Sequence, residues 1–185
     1  RMALPYYISQ NIPVSQVLTG DDGYFSKLGV TTQFGSHVAS VNASANTVTL
    51  QNGSTVAYDN LLIATGSSPQ KPPIPGADGA GVHNLWTIAD AERTVAAMEG
   101  EAEVAFIGAG FIGFIILNAL YKRGAKLKVI ELEKQLLPRM LDAQGASLVK
   151  TWLNEHGVST HTGVSVKAIE HGGDGKKNLQ LSDGS

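Results

Sequence analysis

The sequence predicts an α/β fold, a parallel sheet with helices on its faces followed by a small antiparallel excursion. Three observations predict it. From Thr87 onward, short apolar or β-branched runs alternate with segments of helical spacing. A glycine-rich hexapeptide, Gly108 to Gly113, follows one of those runs directly, and an acidic residue, Glu131, ends the next.

Taken in order, Thr87 to Met98 has helical spacing, and Ala105-Phe106-Ile107 is a continuous apolar run expected to be a buried strand. Phe111 to Arg123 is a second helix, stopped by Gly124, and Leu127 to Glu131 is a strand. Ala143 to His156 is an amphipathic helix stopped by Gly157. Val158 to Thr162, Val164 to Ile169 and Leu179 to Leu181 read as further strands, with Gly172 to Lys177 an exposed hairpin loop.

The chain before Thr87 has a different texture. Up to Val30 the apolar clusters are short and read as helical or irregular. Val38 and Val41, Thr47 to Leu50 and Thr55 to Tyr58 are then β-type runs, and Asn52-Gly53 between the last two is a hairpin signal because both residues tolerate positive φ. Leu61 to Ala64 is a short apolar run expected to be a buried strand, ending at Thr65-Gly66. Pro69, Pro72, Pro73 and Pro75 follow, a density no helix or central strand tolerates, so this stretch reads as a crossing between domains.

Composition narrows the function classes. A net charge of −2 gives no basic field for nucleic acid or an anionic membrane. With no cysteine, disulfides, thiolate metal sites and dithiol redox centres are excluded within these 185 residues. The five histidines are dispersed, so no metal site is expected. Val104 to Tyr121 carries no charge over 18 residues, but its three glycines favour a buried strand–turn–helix over a membrane span. No signal peptide is in view, and a cytoplasmic location is expected.

Gly108-Ala109-Gly110-Phe111-Ile112-Gly113 fits G-x-G-x-x-G between a strand and a helix, the phosphate-binding turn of a Rossmann-like dinucleotide-binding βαβ unit. Gly108 permits the tight turn, Gly110 the approach of backbone to a pyrophosphate, and Gly113 close packing of helix on strand. The helix start offers unpaired N–H groups and a positive dipole end. Glu131, 23 residues after Gly108, stands where a carboxylate accepts from the ribose hydroxyls and repels a 2′-phosphate. NAD(H) is therefore the expected ligand, preferred over NADP. Read more plainly, the glycines make a tight turn and Glu131 is a solvated strand end.

Val104 to Gly113, Lys128-Val129-Ile130-Glu131 and Leu136-Leu137-Pro138-Arg139 together resemble the NAD domain of the FAD-dependent pyridine nucleotide-disulfide oxidoreductase family. Tyr58 to Gly66 is similar to that family's second FAD-side motif, and Asp90-Ala91 fits the helix before the NAD domain. The resemblance implies residues 1–70 as part of an FAD domain and 71–185 as the NAD(H) domain. It implies Ala64, Thr65, Gly66, Val38 and Arg1 as FAD-side contacts. It places the family's first flavin glycine turn before Arg1, its terminal Gly-Asp motif after Ser185, and one more strand of the NAD domain beyond the chain. The sequence is thus expected to be an internal piece, able to bind cofactor but inactive alone.

Two departures qualify the likeness. Leu4-Pro5-Tyr6-Tyr7-Ile8 is similar to the stretch after the redox cysteine in the NADH oxidase and coenzyme A-disulfide reductase branches, yet the cysteine position falls on Met2. In the ferredoxin reductase-like branch a lysine pairs with a glutamate, and here those positions hold Tyr6 and Ile115. Loss of both is consistent, since an unpaired buried charge is costly. The resemblance implies hydride transfer from NADH to FAD and on to an external acceptor, which can be an electron-acceptor protein. The alternative is a non-catalytic NAD(H)-binding or sensing module.

Overall fold

The computed structural model describes residues 3–18, 20, 23–98, 102–173 and 175–185. They form two compact units, one within residues 18–68 and the other from residues 1–17 together with 69–185. The smaller unit contains the short helix α2 (Tyr24–Lys27) and the antiparallel sheet β1 (Val38–Asn42), β2 (Thr47–Leu50) and β3 (Thr55–Ala57). The larger unit contains α1 (Leu4–Ile8), α3 (Ile88–Ala96), β4 (Glu103–Ile107), α4 (Phe111–Lys122), β5 (Lys126–Glu131), α5 (Ala143–Glu155) and β6 (Ser159–Thr162), then the hairpin β7 (Val166–His171) and β8 (Lys177–Leu181). Where the sequence reading assigns residues 1–70 to one domain, the first residues instead pack with the larger unit, through α1 against α3 and α4.

β4, β5 and β6 lie side by side in that order, parallel, with Phe106 opposite Val129 and Ile130 opposite His161. The period-two geometry of a strand sends neighbouring side chains of β5 to opposite faces. Leu127 and Val129 accordingly join a core with Leu4, Ile8, Ala91, Leu117, Leu120 and Leu153. Ile130 joins a second cluster with Val164, Val166 and Ile169, against which Ile74, Val82 and Leu179 pack. Helices on both faces were expected. The second cluster is instead closed by the β7–β8 hairpin and the 74–82 turn, because its apolar residues come from those segments.

Two further expectations are corrected. β4 is not fully buried: it is the edge of its sheet, with Val104 and Phe106 on the core and Ile107 44% exposed. Leu61 to Ala64 is not a strand; Leu62 is 87% exposed, and a buried strand needs neighbours that no described segment supplies. The hairpin at Asn52-Gly53 forms, but only Gly53 takes positive φ, at 86°. Asn52 Oδ1 accepts from the Ser54 N–H and hydroxyl, while Leu50 N–H donates to the Ser54 carbonyl, giving a three-residue loop with glycine in the left-handed position.

The helix ends set the elements' positions. Thr87 and Asp90 form a capping box on α3, with Asp90 N–H donating to Thr87 Oγ1 and Thr87 N–H to Asp90 Oδ2. Trp86 N–H donates to the same carboxylate, and Arg93 pairs with it. Burial alone pushes the Asp90 carboxyl up, but the hydrogen bonds of Thr87 and Trp86, with the Arg93 charge, outweigh it and hold the carboxyl below its ordinary value. Arg123 Nη1 donates to the Ile8 carbonyl at 3.0 Å, tying the end of α4 to the end of α1. α4 lies close on β4 because Gly113 has no side chain: a Cβ there would stand 2.9 Å from the Gly108 carbonyl oxygen and 3.0 Å from the Phe106 ring.

Asp90→Ala is expected to lower stability by about 1–2 kcal/mol, read as a fall in the thermal midpoint. Because the folded carboxyl lies below its ordinary value, this contribution is complete above the usual carboxylate range near ~4 and is lost as pH falls through the folded value. The gap between wild type and variant should therefore close in acid. Gly113→Ala is expected to cost about 1–3 kcal/mol, since the clash is with backbone rather than a flexible side-chain end; urea unfolding measures it.

Candidate dinucleotide site

The glycine turn is held by hydrogen bonds to the end of β5 and to the segment at Leu137. Gly108 takes φ 96°, a region costly for any residue with a Cβ, and its N–H donates to the Ile130 carbonyl at 2.8 Å. The peptides on either side of Ala109 are each fixed as well. Ala109 N–H donates to Glu131 Oε2 at 2.6 Å, and the Ala109 carbonyl accepts from Leu137 N–H at 3.1 Å.

Glu131 ends β5, pairs in register with Thr162, and is only 7% exposed. A buried carboxylate is costly unless its oxygens are satisfied. Oε1 accepts from the Glu133 N–H at 2.8 Å, so each oxygen holds one backbone donor. The loop after Glu131 is fastened in turn: Gly163 N–H donates to the Glu133 carbonyl and Val164 N–H to the Glu131 carbonyl.

Gly110 is the N-cap of α4, extended at φ −78° and ψ 175°, with no side-chain cap. Thr87 and Asp142 cap α3 and α5 with side-chain oxygens, so the two other long helices differ in this respect. The first N–H groups of α4 are thus available to an acceptor at its positive dipole end. A Cβ built at Gly108 or Gly110 meets nothing within 4 Å, so the space beside the turn is open. The fit to a pyrophosphate is steric and electrostatic together. Phe111 and Ile112 are 55% and 59% exposed at its rim.

Gly108, Ala109, Gly110, Phe111, Ile112, Gly113 and Glu131 are therefore brought together in the larger unit, at the C-terminal ends of β4 and β5. Val38, Ala64, Thr65 and Gly66, expected on the FAD side, belong to the smaller unit. Val38 is on β1 of the smaller unit and half exposed, and Ala64, Thr65 and Gly66 lie in exposed irregular backbone, with Gly66 at φ 74°. Arg1 and Met2 lie outside the described residues. Tyr6 on α1 and Ile115 on α4 sit on elements in contact, but they are 57% and 36% exposed.

Leu137 was not expected as part of the site. It takes φ 50°, uncommon for leucine, and nothing in the local sequence asks for that conformation. Its neighbour Leu136 is 1% exposed, which anchors the segment that delivers the Leu137 N–H. Among the described residues no group of three His, Asp or Glu side chains could hold a metal ion, and no helix is long and apolar enough to cross a membrane.

The family model described as pyridine nucleotide-disulphide oxidoreductase matches residues 7–185. The epsilon subunit of NADH-dependent phenylglyoxylate dehydrogenase from Aromatoleum evansii is 32% identical over 182 residues, 98% of this chain and 43% of that protein. Rubredoxin-NAD(+) reductase from Alcanivorax borkumensis is 33% identical over 159 residues, 86% of this chain and 41% of its own length. The structure of a NAD-dependent persulfide reductase from A. fulgidus matches with a TM-score of 0.89 at 34% identity, covering 100% of this chain and 35% of that one. The chain spans less than half the length of each of these relatives. With the family match running over nearly its whole length, the chain belongs to the pyridine nucleotide-disulphide oxidoreductase family.

Proposed function

We propose that this chain carries the NAD(H)-binding domain, with part of the FAD domain, of an NADH-dependent flavoprotein oxidoreductase. The observation that carries the reading is the open glycine turn beside a buried carboxylate, Glu131, on a chain of this family. On this reading the α4 N-terminus takes the pyrophosphate, and the two unoccupied lone-pair regions of Glu131 take ribose hydroxyls. A second carboxylate two residues on, Glu133, adds charge against a 2′-phosphate, so NADH is preferred over NADPH.

When bound, FAD supplies the two-electron acceptor for hydride from nicotinamide. The work of this chain is to hold NADH in place. Residues 71–185 are assigned to the NAD domain and residues 1–70 to the flavin side, although residues 1–17 pack with the larger unit, and Ala64, Thr65, Gly66 and Val38 are the flavin-side contacts. Electrons pass to an external acceptor rather than to a disulfide of this segment, which has no cysteine. A small electron-transfer protein fits that role, as rubredoxin does for the relative rubredoxin-NAD(+) reductase. The reading sets the protein in the cytoplasm, where NADH is supplied.

NADH titration by fluorescence tests the site. Gly110→Trp fills the open space without a clash at its Cβ, so it should fold with an unchanged thermal midpoint. It should also lose NADH affinity by at least tenfold, the factor that about 1.4 kcal/mol represents. Unchanged affinity in this variant would remove the turn as the binding site.

A further inference from the structure

The proposed NAD(H) reading gives Glu131 one task, accepting from ribose. The hydrogen bonds show that its carboxylate already has another. Oε2 is the acceptor for the N–H of Ala109, the second residue of the glycine turn, and Ala109 is itself 1% exposed. Water therefore has no access with which to satisfy that N–H if the carboxylate is removed. In the next peptide, Ala109–Gly110, Leu137 N–H holds the Ala109 carbonyl.

We propose that Glu131 is a positioning residue for the glycine turn: with the Leu137 N–H it clamps the two peptides on either side of the Ala109 Cα, and so fixes the turn that the pyrophosphate meets. This deepens the NAD(H) reading and rests on it. A carboxylate has about four lone-pair directions, of which the Ala109 and Glu133 N–H groups take two, so clamping the turn and accepting from ribose are compatible. The clamp has a consequence for specificity. Charge reversal at this position, the obvious route to a site for the 2′-phosphate of NADPH, also strips the turn of its acceptor, because a guanidinium has none.

The two tasks separate with a ligand that lacks one of them. Wild type and Glu131→Ala are titrated with NADH and with its analogue lacking the 2′- and 3′-hydroxyls of the adenosine ribose. A clamp predicts that the variant loses about tenfold or more on both ligands, the range for a hydrogen bond to a charged group. The Ala109 amide should also exchange faster in the variant while the thermal midpoint stays within a few degrees. A variant that binds the analogue as well as wild type does, losing affinity for NADH alone, overturns the clamp and leaves a ribose contact only. Wild type that binds neither ligand overturns the NAD(H) reading itself, a separate result. Should Glu131→Ala not fold, Glu131→Gln carries the same comparison with one acceptor retained, and a smaller loss on both ligands is expected. Glu131→Arg adds a further arm: NADPH affinity should not rise, and a gain would contradict the clamp.

Discussion

A carboxylate at the end of a central strand must find donors or face the full cost of desolvation, and at Glu131 those donors are backbone N–H groups of two different loops. That requirement couples features that would otherwise be independent. The end of β5, the glycine turn after β4 and the loop that follows Glu131 are drawn to one point. The Gly108 N–H bond to Ile130 and the Leu137 N–H bond to Ala109 extend the same coupling. The open space beside Gly110 and the uncapped start of α4 have functional meaning only because this turn is held in one place.

Packing below the turn supports it. Gly113 lets α4 lie against Phe106 and the Gly108 carbonyl, and the apolar side chains of α4 and β5 meet in the larger core. Arg123 ties the far end of α4 to α1, so the helix is fixed at both ends. The helix that aims its N-terminus at the site is thus among the best anchored elements of the larger unit.

Much of this was legible in the sequence. The strand–turn–helix, its three glycines and the acid at the next strand end each follow from local chemistry: positive φ, backbone approach and a strand register. The stops at Gly124 and Gly157 and the start at Thr87 were readable for the same reason. What was not legible depends on partners distant in sequence. Leu61 to Ala64 looks like a strand, but an apolar run pairs only if a neighbouring strand is present. β4 looks buried, but its place at the sheet edge is a property of the whole sheet. Leu137 enters the site through its backbone, and no side-chain pattern encodes a backbone N–H. Ala109 is equally silent, because its role comes from what Glu131 needs.

The two units also divide what the chain can do. The larger one presents a formed turn, whereas the residues of the smaller one that the sequence suggests for FAD lie on exposed strand and irregular backbone. Hydrogen–deuterium exchange of this chain with and without NADH measures that division most directly. Protection on adding NADH should be confined to residues 108–113 and 131–137, with the exchange of residues 35–66 unchanged. Unchanged exchange across 108–113, or protection appearing only within 35–66, would contradict the assignment of the cofactor to the glycine turn.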